Sequence, residues 1–214
     1  MKKIDLKKDL KYLYLPSSEE VEVVRVPKFR YLMIDGQGDP NTSKEFQEAM
    51  QAMYTVAYTL KFMIKKEKKV DYPVMAVEGL WWVDDMATFS MENKSAWKWT
   101  LMILQPSVVT KALFKKAVKL ATEKKGFTAL QRIRLEPFTE GLAVQIMHIG
   151  TYAEEGPTIQ RLHSFAKERG FELRNKHHEI YMSDPRKVKP EKMRTVIRQP
   201  IRKASPVLPS KPQP

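Results

Sequence analysis

The sequence predicts an α+β fold: two pseudo-symmetric strand-helix-strand-strand modules, an antiparallel sheet with helices on one face, and a central ligand cleft. Three observations predict it. First, the chain repeats itself. One copy runs from Tyr31-Leu-Met-Ile-Asp-Gly36 through a helix to Val77-Glu-Gly-Leu-Trp-Trp82, the other from Gln145-Ile-Met-His-Ile-Gly150 through a helix to His177-His-Glu-Ile-Tyr-Met182. Second, alternating apolar residues mark strands around segments whose apolar residues recur every three or four positions. Third, a hydrophobic fraction of 43% over 214 residues suffices for a substantial core.

Each element follows in order. Residues 1–20 read as an irregular arm, helical near 6–13 and stopped by Pro16. Residues 20–26 alternate as a strand ending at Pro27, and 30–35 form a second strand. After the Gly36–Pro40 turn, Thr42-Ser-Lys-Glu45 matches a capping box with Thr42 as cap. Phe46, Met50, Met53, Ala57, Leu60 and Ile64 then form the apolar stripe of a helix, closed by the lysines at 65–69. Residues 72–83 are a strand, and 84–94 a hairpin or loop. Residues 96–104 alternate with Trp97, Trp99, Leu101 and Ile103 on one face. A helix over 108–125 ends at Gly126. Strands at 130–136 and 141–149 precede an acidic turn at 150–157, a helix at 158–168 and a strand at 172–182. A helical turn at Pro190 and a last strand at 195–201 complete a domain over 21–201, with internal repeats at about 21–105 and 130–201. The Pro- and Ser-rich segment 202–214 reads as a disordered tail.

The absence of cysteine excludes disulfides, thiolate metal sites and cysteine nucleophiles, and fits a cytoplasmic protein. The charged N-terminus lacks a signal-peptide core, and no apolar run is long enough to span a membrane, so no membrane partner is expected. The net charge of +13 raises the question of nucleic acid. The basic residues, however, concentrate at 61–69, 111–125 and after Lys176, and the middle cluster sits on a helix whose other side is Ala, Val and Leu, the pattern of a solvated face. No nucleic-acid-binding motif accompanies it, so nucleic acid is not an expected partner. The oligomeric state is left as monomer or homodimer.

Alternation sorts the candidates for chemistry. His177, Glu179 and Tyr181 share one face of their strand, and His178 and Ile180 the other, expected under the helices. Glu78 and Trp82 share a face of the matching strand. If the modules meet by their helix-free faces, Glu78 and Glu179 converge in an aromatic cleft. A glutamate there acts as a general acid or base, or pairs with a bound cation; alternatively, each satisfies a buried polar network. The ligand-binding candidates are Glu78, Trp82, Trp97, Trp99, Tyr31 and His148. Asp39, Glu154 and Glu155 are expected to be solvent-exposed turn residues. Adjacent His177 and His178 point to opposite faces and no metal-binding histidine spacing exists, so no metal is expected. Gly36-Gln-Gly38 lacks the third glycine of a dinucleotide loop, and no cofactor is expected.

These residues also resemble a known family. The segments 29–41, Glu78-Gly-Leu-Trp-Trp82, Trp97-Lys-Trp99, Gln105-Pro106, Gln145–Gly150 and His177–Arg186 together are similar to the GyrI-like small-molecule-binding proteins. The resemblance runs from Val21 to Ile201 and implies the two-module fold with a central cleft. In the family's transcription regulators a strand glutamate contacts cationic drugs, and the matching position is Glu179. With no DNA-binding domain before Val21, the chain looks closer to a stand-alone branch, the cyclopropanoid cyclopropyl hydrolases, which open cyclopropane-bearing DNA-alkylating natural products. The resemblance implies catalytic roles for Glu179, activating water, and Tyr181, assisting it. It also implies Trp residues stacking on a planar aromatic or cationic small molecule. The alternative is a module that sequesters or senses such compounds without turnover.

Overall fold

In the computed structural model, which describes residues 1–88, 93–126 and 128–204, the chain opens with a two-residue strand, β1 (Lys2–Lys3). Two single-turn helices follow, α1 (Leu6–Asp9) and α2 (Lys11–Tyr14). The predicted pair of strands around Pro27 is one strand, β2 (Glu22–Gln37). Pro27 has no N–H to give, and the β2 ladder forms on both sides of it but skips the Pro27–Glu140 position. α3 (Lys44–Lys68) is capped by Ser43, whose hydroxyl accepts from the Phe46 amide. Thr42 is not the cap, and Glu45 reaches instead to Arg132.

β3 (Val70–Asp71), β4 (Val77–Trp82), β5 (Lys98–Gln105) and α4 (Lys111–Lys125) come next. The two strands predicted between 130 and 149 are again one, β6 (Arg134–Ile149). α5 (Gly156–Glu168) leads to β7 (Phe171–Leu173) and β8 (His177–Tyr181), which the sequence pattern joins. They are separate because Asn175 adopts a left-handed φ of 57° that no strand accommodates. β9 (Arg194–Lys203) runs two residues beyond Ile201. The rest of the expected tail, from Ser205, lies outside the described residues.

The strands pair antiparallel in the order β6-β2-β5-β4-β8-β9, and β9 pairs back onto β6. The sheet therefore closes into a barrel, with β7 added along β9. Helices cover its outer face, as expected. α3 packs over β2 and β5, with α4 behind it; α5 packs over β6 and β9. The α5 contact is a small apolar cluster of Val144, Ile146, Leu162, Ala166, Ile197 and Ile201. Neither helix packs extensively on β4 or β8, the neighbouring strands where the two modules join. Among the described residues no helix is long and apolar enough to cross a membrane.

The helix-free face is the barrel interior, and polar groups fill part of it. Tyr14 donates to Glu78 Oε1 at 2.5 Å, and His178 bridges Glu78 Oε2 at 3.1 Å and Glu140 Oε1 at 2.8 Å. Arg198 donates to Glu140 Oε2 at 3.1 Å, to Gln145 Oε1 at 3.0 Å and to the Leu13 carbonyl at 2.6 Å. All these side chains are buried. The N-terminal arm is thus part of the core: it supplies Tyr14 and the carbonyls of Tyr12 and Leu13 to the network.

Candidate functional site

Register decides which carboxylate faces which side. Glu78 lies opposite Ile180, and Gly79 opposite Glu179. Directly paired residues share a face, so Glu78 points inward with His178 and Ile180 while Glu179 points outward with His177, Tyr181 and Trp81. The expected convergence of Glu78 and Glu179 does not occur. The helix-free face on which it was based is the barrel's packed interior, and Glu179 stands on the helix-covered side, in the gap between α3 and α5.

Glu179 is held from several directions. Tyr181 donates its hydroxyl to Oε2 at 2.7 Å and itself accepts the Trp81 indole N–H at 2.9 Å. His177 Nε2 lies 3.2 Å from Oε1. Glu155 completes the set through a hydrogen bond between the two carboxyl groups. Burial and the charge of Glu179 push the Glu155 carboxyl up to about 9. Burial also works to raise Glu179, but the hydrogen bonds and charge of His177 and the Tyr181 hydroxyl outweigh it and hold Glu179 below the usual range. At neutral pH the pair therefore shares one proton, kept on Glu155. Glu155 is only 2% exposed, and its Oε1 is buried without a hydrogen-bond partner among the described residues.

Sequence reasoning placed Glu155 in solvent with Glu154, and that expectation is overturned. Glu154 does serve the turn, its carboxylate accepting from the amide and hydroxyl of Thr151. Glu155 sits just ahead of Gly156 and Pro157, at the start of α5, and this turn carries it inward. His148 braces the turn: its Nε2 lies 3.1 Å from the Thr151 carbonyl, and its Nδ1 lies 2.9 Å from the Thr158 hydroxyl. The carbonyl can only accept, so Nε2 carries a proton.

Aromatic rings wall the gap. Trp81 meets Trp97 with ring centroids 5.5 Å apart and Phe46 at 5.8 Å, and Tyr152 sets its ring against Tyr181 at 5.5 Å. Trp97 therefore belongs to the site, with Lys94 5.5 Å from its ring. Trp99 is fully buried one layer deeper, supporting Phe46 edge-on at 5.2 Å. Tyr31 is buried on the interior side, near Glu78, and packs on Phe138. Trp82 shares the Glu78 face and lies under the Lys176 ammonium, 3.1 Å from its ring centroid, away from Glu179. The structure thus brings Glu179, Tyr181 and Trp97 together, adds Trp81, Glu155, Tyr152 and His177, and separates Glu78, Tyr31 and Trp82 from them. Trp81 was legible in principle, since it shares alternation with Gly79 rather than Glu78.

A protonated carboxyl hydrogen-bonded to an ionised one, inside an aromatic wall, can take one proton and give another. Residues 19–202 match the GyrI-like small molecule binding domain. The chain belongs to the GyrI-like family. It is 39% identical to an uncharacterised conserved protein of Listeria innocua, covering 93% of this chain and all of that one, with a TM-score of 0.87. It is 38% identical to a Listeria innocua hydrolase, covering 94% of this chain and all of that one, with a TM-score of 0.84. The C-terminal domain of EcmrR, at 12% identity and a TM-score of 0.54 over 90% of this chain and 99% of that one, shares the fold. Among curated proteins no relative is found.

Proposed function

We propose that this GyrI-like protein is a hydrolase that adds water across a strained cyclopropane carried by a planar xenobiotic or genotoxic compound. The observation that carries the reading is the Glu155–Glu179 pair, one carboxyl protonated and one ionised, behind the Trp81, Trp97 and Tyr152 rings. The flat substrate stacks on the rings with its cyclopropane facing Glu179. Glu179 takes a proton from water as the water oxygen bonds to a ring carbon. The carbon–carbon bond breaks, and its electron pair moves into a conjugated carbonyl, whose oxygen receives the proton held by Glu155. The proton on Glu179 then returns to Glu155 across their hydrogen bond. Tyr181 and His177 hold Glu179 ionised and oriented. The hydrolase among the similar structures supports the reaction class.

The test is mass spectrometry of a cyclopropane-bearing alkylator after incubation with the protein and with Glu179→Gln. A product one water heavier, formed by wild type alone, is the expected result. If wild type leaves the compound intact while its Trp fluorescence is quenched, the protein is a binding or sequestering module instead.

A further inference from the structure

Three lysine runs far apart in the sequence come together around the C-terminal end of α3. The first is the arm, residues 1–11, whose strand β1 lies parallel to β3. The Lys2 amide donates to the Lys69 carbonyl at 3.0 Å, and the Ile4 amide to the Asp71 carbonyl at 2.9 Å. The second run is the end of α3 with β3, residues 61–71. The third is α4, which packs against α3 with Ala117 and Ala121 buried and sends Lys116 to Glu67 at 2.6 Å. Together the three runs hold 16 lysines against five acids, a net of +11 out of the chain's +13. Asp71 takes Lys61 and Lys65, at 3.0 and 2.8 Å, and Glu67 takes Lys116. The other 13 lysines are all exposed, and among the described residues none has a carboxylate within ion-pair reach.

A surface made only for solubility intersperses the two signs. Here like charges are gathered, and their repulsion destabilises the side of the fold that carries them. A polyanion laid across them relieves that repulsion. The side chains select which polyanion. An ammonium is a compact point charge that pairs with a phosphate oxygen and reads no base. α4 is about 22 Å long at 1.5 Å per residue, and duplex DNA sets one negative charge every ~1.7 Å along such a length. An anionic membrane would require a row of apolar side chains beside the lysines to enter the lipid boundary. The apolar side of α4 is already covered by α3, and the exposed large apolar residues of the three runs, Met1, Phe62 and Leu120, stand singly.

We propose that this lysine face binds the phosphate backbone of a nucleic acid duplex, without sequence preference. Taken singly, each run is the solvated side of its own element, and nucleic acid is then no expected partner. The pairing of β1 with β3 and the packing of α4 on α3 are what join the runs. The proposal is independent of what the cleft binds or turns over.

The test is fluorescence anisotropy of a labelled DNA duplex of mixed sequence, about 20 base pairs long, titrated with the full chain between about 50 and 200 mM salt. The face variant, Lys7→Gln/Lys66→Gln/Lys119→Gln, removes one exposed lysine from each run. Glutamine matches lysine in helix propensity, so the helices are kept. The control, Lys167→Gln/Lys189→Gln/Lys203→Gln, removes the same charge from exposed lysines outside the runs. Wild-type affinity is expected to fall about a thousandfold across that salt range, as six or more phosphate contacts give. The face variant should bind at least tenfold more weakly near 100 mM salt, with a salt slope shallower by roughly one for each lysine removed, while the control stays close to wild type. If wild type leaves the duplex free at the lowest salt, or the face and control variants lose affinity equally, the proposal is overturned. If wild type sediments with phosphatidylglycerol vesicles but leaves the duplex free, the face belongs to a membrane and the proposal is overturned as well.

Discussion

Glu155 shows how one side chain alters the chemistry of its neighbour. His177 and Tyr181 keep the buried Glu179 carboxylate ionised, and its charge, with burial, keeps the proton on Glu155. The arrangement predicts a pH profile. Glu179 is held below its ordinary range, and Glu155 is protonated up to about 9. Hydrolysis rate should be level through neutrality and fall as pH rises through about 9, where Glu155 loses its proton. In Glu155→Gln this alkaline fall should disappear and the maximal rate should drop about a hundredfold, within the range of a general acid. Rates measured from pH 5 to 10 check both; an unchanged alkaline fall in the variant would assign it to another group. Glu179 and Tyr181 were legible because strand alternation puts them on one face. Glu155 was not, because an acidic residue ahead of Gly-Pro resembles an ordinary exposed turn. Its burial depends on β6 bringing His148 under that turn, which is a tertiary fact.

At the scale of elements, β4 and β8 are shaped to each other. A Cβ built on Gly79 would lie 2.7 Å from Trp81 Nε1 and 3.1 Å from the Tyr181 hydroxyl. Glycine is needed there because the Trp81–Tyr181 hydrogen bond passes over its backbone. Gly79→Ala should therefore shift both rings, cost ~1–3 kcal/mol of stability, and lower hydrolysis at least tenfold. Thermal melts and kcat/KM on the same preparation test it; activity within twofold of wild type would mean that this contact does not position Glu179. The apolar stripe of α3 and the shared face of Trp97 and Trp99 were readable from spacing alone. The fusion of the predicted strands into β2 and β6 was not. Pro27 ordinarily ends a strand, and it is tolerated here because the ladder resumes beyond the skipped Pro27–Glu140 position. Nor does alternation alone tell which face is core when a closed barrel buries both.

For the molecule as a whole, the interior network sets a window of stability. Burial would raise Glu140, but His178 and Arg198 bring it down to about 2. Burial would lower His178, but Glu140 and Glu78 bring it up to about 9. A depressed carboxyl stabilises above its unfolded value near 4.5 and loses that contribution as pH falls toward about 2. A raised imidazole stabilises below its unfolded value near 6.5 and loses the contribution as pH rises through about 9. Glu155, raised likewise, adds to the alkaline loss from 4.5 upward. The melting temperature should thus be highest near pH 4.5, decline on both sides, and fall more steeply above about 6.5, where the His178 contribution is also being lost. Melts across pH 3 to 10 test this, and Glu155→Gln should make the alkaline decline shallower without removing it. A curve flat from pH 6.5 to 10 would show that His178 is not held between charged carboxylates. The two-module plan was readable in the repeat. The closure of the sheet was not, because nothing local to β6 and β9 announces that they meet.

The alternation of β8 between two chemistries has a further consequence for assembly. His177, Glu179 and Tyr181 serve the cleft, while His178 and Ile180 serve the interior. A slip of one residue would turn Glu179 toward Glu140 and leave His178 outside, stranding like charges in a dry space. The ionic cluster thus works as a key cut to one lock: it makes the misregistered barrel far costlier than the correct one, and aligns the cleft without touching anything bound there.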